Sequence, residues 1–228
     1  MRLSLAIAMC AISTMASSQT PRLVAVASAS DAQSAQINAA VQGSQELKNY
    51  LSTGATPVKI QVVEKSDHRY GLSAYTKGKE LYITDEFLAY VKEVKPFHHA
   101  PPETIYPDLT LYVISHLACH AKGDGRPNTS SPSKEEFVKR MAELEARCTI
   151  LSWNLVTQRA IAQNNGLPLT VPQQGELILQ NPFRGSVFAA MSATPKLESL
   201  PDGTIEPTEP NVEILAKAVL TSPISPIE

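Results

Sequence analysis

His116 and His120 sit four residues apart, the spacing that stacks two side chains on one face of an α-helix. Two imidazoles stacked in this way offer nitrogen donors to one point, which is how a helix grips an ion such as Zn2+. The segment around them reads Leu-Tyr-Val-Ile-Ser-His-Leu-Ala-Cys-His-Ala, and residues 109–121 carry no formal charge. A general base beside the first histidine would stand at position 117, and that residue is Leu117. The pair therefore has the donors of a metal site without an adjacent catalyst. The same two imidazoles, once buried, can instead be satisfied by backbone carbonyls or carboxylates with no metal at all.

A third ligand has to come from another element. Ser133 followed by Glu136 fits a capping box that starts a long helix. Phe137, Met141, Leu144, Cys148, Leu151 and Leu155 then recur at alternating spacings of four and three, so one apolar stripe faces the core. Glu145 lies at the edge of that stripe, three residues before Cys148. If it points at the histidines, two imidazoles and a carboxylate make a standard zinc ligand set with a position left for water. If it points outward, like Glu136 and Glu143, it is one more solvated acid on an amphipathic helix.

The elements that must position these residues follow from periodicity and breakers. A helix is expected over 31–51 and strands over 58–63, 72–76 and 80–84, with Lys77-Gly78-Lys79 as the turn between the last two. A helix over 85–95 comes next. Residues 95–103 contain three prolines and His98-His99 and read as a loop; His68 lies in another turn. Pro107 before and Gly123 after bracket the histidine helix at 108–122. This helix is apolar on nearly every face and should be buried. Beyond Gly166 the signal thins, and from residue 194 prolines interrupt everything except 211–220.

The chain has 228 residues, 43% of them hydrophobic, enough for one folded domain, and a formal net charge of -2. No dense Lys/Arg run marks a nucleic-acid surface or a membrane patch. Arg2, an apolar run over 3–12 and small residues at 16–18 have the layout of a secretory signal. Cys10 follows Met9, a poor match to the small residue before a lipidated cysteine, so cleavage is expected over a lipid anchor. The mature chain then keeps Cys119 and Cys148 in an oxidising compartment, periplasmic or extracellular, where a disulfide is the simple arithmetic. Such a loop adds roughly 3 kcal/mol of stability. Buried free thiols and thiolate metal ligands are the alternatives.

The order of elements, namely a strand, an edge strand with Lys-Glu-Leu-Tyr-Ile-Thr-Asp, a helix, a buried helix with HxxxH, a loop and a helix with Glu-Leu-Glu-Ala-Arg, resembles gluzincin-type zinc metallopeptidases over residues 58–163. The resemblance implies that His116 and His120 are the two histidine ligands, that Glu145 is the third, and that Ala146 is the alanine that often follows it. Leu117 replaces the glutamate that activates water in that family, and Arg147 replaces an aspartate that steadies the site. Loss of the base removes a contribution of roughly 10² to 10⁴ in rate. An arginine beside the ion weakens its binding unless the side chain points away.

The expected architecture is α+β: a small, mostly antiparallel sheet packed on a buried central helix and a long helix in the C-terminal half. Residues 1–18 form the signal, 19–30 a flexible segment, 31–193 the zincin-like domain and 194–228 a Pro-rich, mostly extended tail. Three functional readings follow. The first is an exported, degenerate zincin-like protein, inactive or nearly so, acting by binding a peptide or protein partner. The second is an active zinc metallohydrolase that borrows a base from Glu103, Asp108 or Glu143. The third is a metal-free, disulfide-bonded interaction, inhibitor or immunity protein.

Overall fold

The computed structural model describes residues 24–52, 58–64, 74–93, 108–122, 133–180 and 195–221, together with positions 187, 190 and 191. The strands are β1 (Val24–Ala27), β2 (Val58–Val63), β3 (Ala74–Lys77) and β4 (Glu80–Thr84). The helices are α1 (Asp31–Gln42), α2 (Gln45–Ser52), α3 (Asp85–Glu93), α4 (Leu109–Lys122), α5 (Lys134–Gln163), α6 (Val171–Gln180) and α7 (Glu209–Thr221). The class is α+β. The segment expected to be a signal, His68, His98, His99 and Glu103 lie outside the described residues. No described helix is long and apolar enough to cross a membrane.

The four strands form one sheet in the order β1-β2-β4-β3. β3 and β4 make the expected hairpin around Gly78, whose φ of 62° suits a residue without Cβ. The other two pairings, β1 with β2 and β2 with β4, are parallel. The sheet is therefore mixed and not mostly antiparallel. A hairpin is written in its turn residues, whereas parallel partners meet across a long crossover that no local signal announces. The segment with Lys-Glu-Leu-Tyr-Ile-Thr-Asp is likewise not an edge: β4 is flanked by β2 and β3, and the edges are β1 and β3. β1 itself falls in the stretch expected to be flexible, four residues of Val-Ala-Val-Ala that only pairing with β2 makes a strand.

Alternation gives the sheet two unlike faces. Ile60, Val62, Leu81 and Ile83 are buried and pair across β2 and β4, with Ile60 opposite Leu81 and Val62 opposite Ile83. On the other face Glu80 accepts from the Lys59 ammonium at 2.8 Å, the Tyr82 hydroxyl at 2.8 Å and the Gln61 amide at 3.1 Å. The Tyr82 ring stacks on Tyr75 with centroids 4.8 Å apart. Hydrogen bonds from Lys59, then Tyr82 and Gln61, hold the Glu80 carboxyl down at about 2, against an ordinary 4.5.

The helix expected over 31–51 is broken at Gly43 and Ser44. Ser44 Oγ accepts from the Leu47 amide at 3.1 Å and starts α2, a capping role typical of serine. The Gly43 carbonyl accepts from Arg159 Nη1 of α5 at 2.6 Å, and a Cβ at Gly43 would collide with that guanidinium. α1 opens on a full capping box between Ser30 and Gln33. α5 opens on half of the expected one: Ser133 Oγ accepts from the Glu136 amide, but the Glu136 carboxylate turns to Arg140 at 2.6 Å. Phe137, placed on the core stripe by its spacing, lies in the first turn of α5 and is 41% exposed.

A continuous core runs from α1, α2 and the inner sheet face through α4 and α5 to α7. Residues 195–221, expected to be mostly an extended tail, contribute to it through Leu197, Ile205 and α7. α7 packs along α5, burying Val212, Leu215 and Val219. Ahead of α7 the chain is stitched to α5: Asn154 Nδ2 donates to the Ile205 carbonyl at 2.7 Å, its Oδ1 accepts from the Ile205 amide at 2.8 Å, and the Trp153 indole donates to the Gly203 carbonyl at 2.8 Å.

Two outcomes follow from these contacts. Asn154→Ala strands both backbone groups of Ile205 and should lower stability in urea unfolding by about 1–3 kcal/mol. Because the folded Glu80 carboxyl lies below its unfolded value of 4.5, its contribution is complete above that pH and is lost as pH falls toward about 2. Melting temperature should therefore drop over that window in the wild type, and less steeply in Glu80→Gln.

Candidate metal site between two helices

α4 is the buried helix of the fold. Asp108 caps it, its Oδ1 accepting from the Leu111 amide at 2.9 Å. Every residue from Leu109 to Cys119 is buried, as is Ala121, and only His120 and Lys122 reach partial exposure. The inner sheet face lies on one side of α4 and α5 on another, and α5 is its most extensive partner. At its C-terminal end Lys122 donates to the Tyr50 carbonyl of α2 and lies over the Tyr50 ring.

Where α4 meets α5, His116, His120 and Glu145 come together. His116 Nε2 is 2.9 Å from Glu145 Oε1, and His120 Nε2 is 2.9 Å from Glu145 Oε2. The two Nε2 atoms are 3.2 Å apart. Glu145 thus faces inward and is not a solvated surface acid. The side chains of His116 and Glu145 are 6% and 7% exposed and that of His120 is 15%, so the cluster opens to water on the His120 side. The Tyr112 ring, one turn before His116, lies nearly parallel to the imidazole, 15° off, and helps fix its plane.

Burial opposes ionisation of Glu145, yet the nearby His116 charge and the hydrogen bonds from His116 and His120 outweigh it and hold the carboxyl below the ordinary range. The side chain is therefore the anion that two imidazole N–H groups or one cation would need. Both states fit the geometry. Without metal, each Nε2–H donates to one carboxylate oxygen. With metal, bonds of about 2.0–2.1 Å at angles between square and tetrahedral put ligand atoms about 2.9–3.3 Å apart. The two 2.9 Å separations, each to a different carboxylate oxygen, and the 3.2 Å between the nitrogens lie near that interval, and one ligand atom from each residue lies within 4.8 Å of the others. The three side chains could therefore hold a metal ion.

Cys119 and Cys148 are joined by a disulfide across the same interface, with their α-carbons 5.4 Å apart. The thiolate-ligand and free-thiol alternatives are thereby set aside. Arg147, which would weaken cation binding if it faced inward, instead pairs with Glu209 of α7 at 2.6 Å on the surface. Leu117 is buried in the main core, as is Ala146. Of the acids considered as replacement bases, Asp108 caps α4 and Glu143 pairs with Lys139 at 3.9 Å on the exposed side of α5. Neither joins the cluster. Among the described residues this is the one grouping of three or more His, Cys, Asp or Glu able to share an ion.

In metal-free protein, Glu145→Ala leaves both imidazoles without their carboxylate in a buried interface. Chemical denaturation should show a loss of about 1–3 kcal/mol, far more than Glu143→Ala at the neighbouring surface position. No protein-family model, curated protein or solved structure matches the chain, so a functional reading rests on the geometry of these three side chains.

Proposed function

We propose that this is an exported, zincin-like metal-binding protein in which His116, His120 and Glu145 hold one zinc-type divalent ion, and that it acts by binding a peptide or protein partner. The observation that carries this reading is the convergence, from two separate helices, of two imidazole nitrogens 3.2 Å apart on a buried carboxylate, each 2.9 Å from one of its oxygens. A buried carboxylate is retained only where something compensates its charge, and a divalent cation held by the same three side chains would do so. The outward turn of Arg147 removes the one arginine that would compete with the ion.

Peptide hydrolysis is not proposed. A bound ion supplies an acidified water, but position 117 offers an alkyl chain where a proton acceptor is needed. Asp108 and Glu143 are engaged elsewhere. What the chain's own residues do is hold and orient: Tyr112 stacks on His116, Glu145 reaches both rings, and His120, the least buried of the three, faces the solvent side. A partner carrying a carboxylate, imidazole or thiolate could complete the coordination from that side. The metal-free interaction reading is favoured by one feature, that the carboxylate can accept from both rings and leave itself satisfied.

Titration with Zn2+, and with Co2+ read by its visible absorption, decides between these readings. The expected result is one ion per chain in the wild type, with affinity lowered on the order of 100-fold in His116→Ala, His120→Ala and Glu145→Ala, and no hydrolysis of peptides by the loaded protein. Failure to bind, or binding unchanged in all three variants, refutes the metal site. Hydrolysis that disappears in His116→Ala would instead establish a working hydrolase.

A further inference from the structure

The Cys119–Cys148 bond lies at the same level of the α4–α5 interface as the three proposed ligands. Cys119 is one residue before His120 and three after His116, and Cys148 is three residues, close to one turn, after Glu145. Cys119 therefore lies one turn along α4 from His116, though not on the face of His120, and Cys148 one turn along α5 from Glu145. Cys119, Leu144 and Cys148 form a small buried cluster with half-buried Met141 and Leu151, separate from the main core. On this side of the site the two helices are held together by the covalent bond and that small patch. Metal affinity depends on keeping ligands from both helices within a fraction of an ångström of the binding geometry.

We infer that the Cys119–Cys148 disulfide controls metal retention: the oxidised protein holds its ion, and reduction by a dithiol loosens the site and releases it. This rests on the metal-binding reading above. In the step, the S–S bond breaks and the dithiol supplies two electrons and two protons. Cys119 and Cys148 become thiols, and the dithiol closes into its own disulfide. Coupling between the bond and the ion runs in both directions. An ion held by His116 and His120 on α4 and Glu145 on α5 resists parting of the helices. Both sulfurs are buried, Cys119 at 4% and Cys148 at 0% exposure, so a reductant reaches them only when the helices part.

Three preparations of the chain are compared by competition with a chromogenic zinc chelator: oxidised, reduced with a phosphine and desalted, and the Cys119→Ser/Cys148→Ser double variant, whose hydroxyls cannot act as thiolate ligands. Zinc affinity is expected to fall at least tenfold in the second and third relative to the first. In a second measurement on the wild type, excess Zn2+ is expected to slow reduction of the disulfide, followed by thiol alkylation, and to have no such effect in His116→Ala. Should the double variant fail to fold by circular dichroism, the protection measurement decides. Equal or tighter zinc binding after reduction, or no protection by zinc, overturns the inference while leaving the metal site standing. No binding by the oxidised protein overturns both.

Discussion

A carboxylate buried between two helices is the constraint around which this fold is arranged. Glu145 sits in an interface otherwise built from apolar and small residues, and ionised carboxylates are not left in such places uncompensated. The two imidazoles supply the compensation only because α4 presents them on one face and α5 approaches at the right depth. Small residues allow that approach: Ala118 and Ala121 on α4, and Ala142 and Ala146 on α5, are all buried. The disulfide then ties the two helices within one turn of the acid.

The rest of the molecule keeps α4 where it is. The sheet contributes one apolar face, with its polar face occupied by the Glu80 network. Gln36 of α1 donates to both the Leu88 carbonyl and Thr110 Oγ1, linking the start of α4 to α3. Arg159 joins α5 to the α1–α2 break, and the segment carrying Gly203 and Ile205 is hydrogen-bonded to the outer side of α5. Each fully buried aliphatic side chain adds about 1.5–3 kcal/mol. α4, with Leu111, Ile114 and Ala118 at zero exposure, is thus fixed by burial before its histidines are considered.

The cluster has donors able to hold an ion, while Leu117 points its alkyl chain into the main core. His120 is the least buried member of the cluster, so under the proposed reading a partner's side chain would approach from that side. The disulfide joins the same two helices within one turn of His116 and Glu145, which is the ground for the proposed coupling between its redox state and the ion.

Much of this was legible in the residues. The HxxxH spacing, the charge-free helix bracketed by Pro107 and Gly123, the stripe on α5 and the Gly78 hairpin all follow from local periodicity and turn chemistry. So did the α+β class and the pairing of Cys119 with Cys148. The break at Gly43, the full box at Ser30 and the helix opened by Thr170 with Gln173 also carried local signals that periodicity obscured. What the sequence could not settle was long-range. Val-Ala-Val-Ala is a strand only beside β2, and parallel pairing is decided by packing across a crossover. Glu145 and Glu143 are similar acids two positions apart on one helix. Rotation of α5 against α4 alone turns the first onto two imidazoles and leaves the second in solvent, because a helix face acquires its meaning from what packs against it.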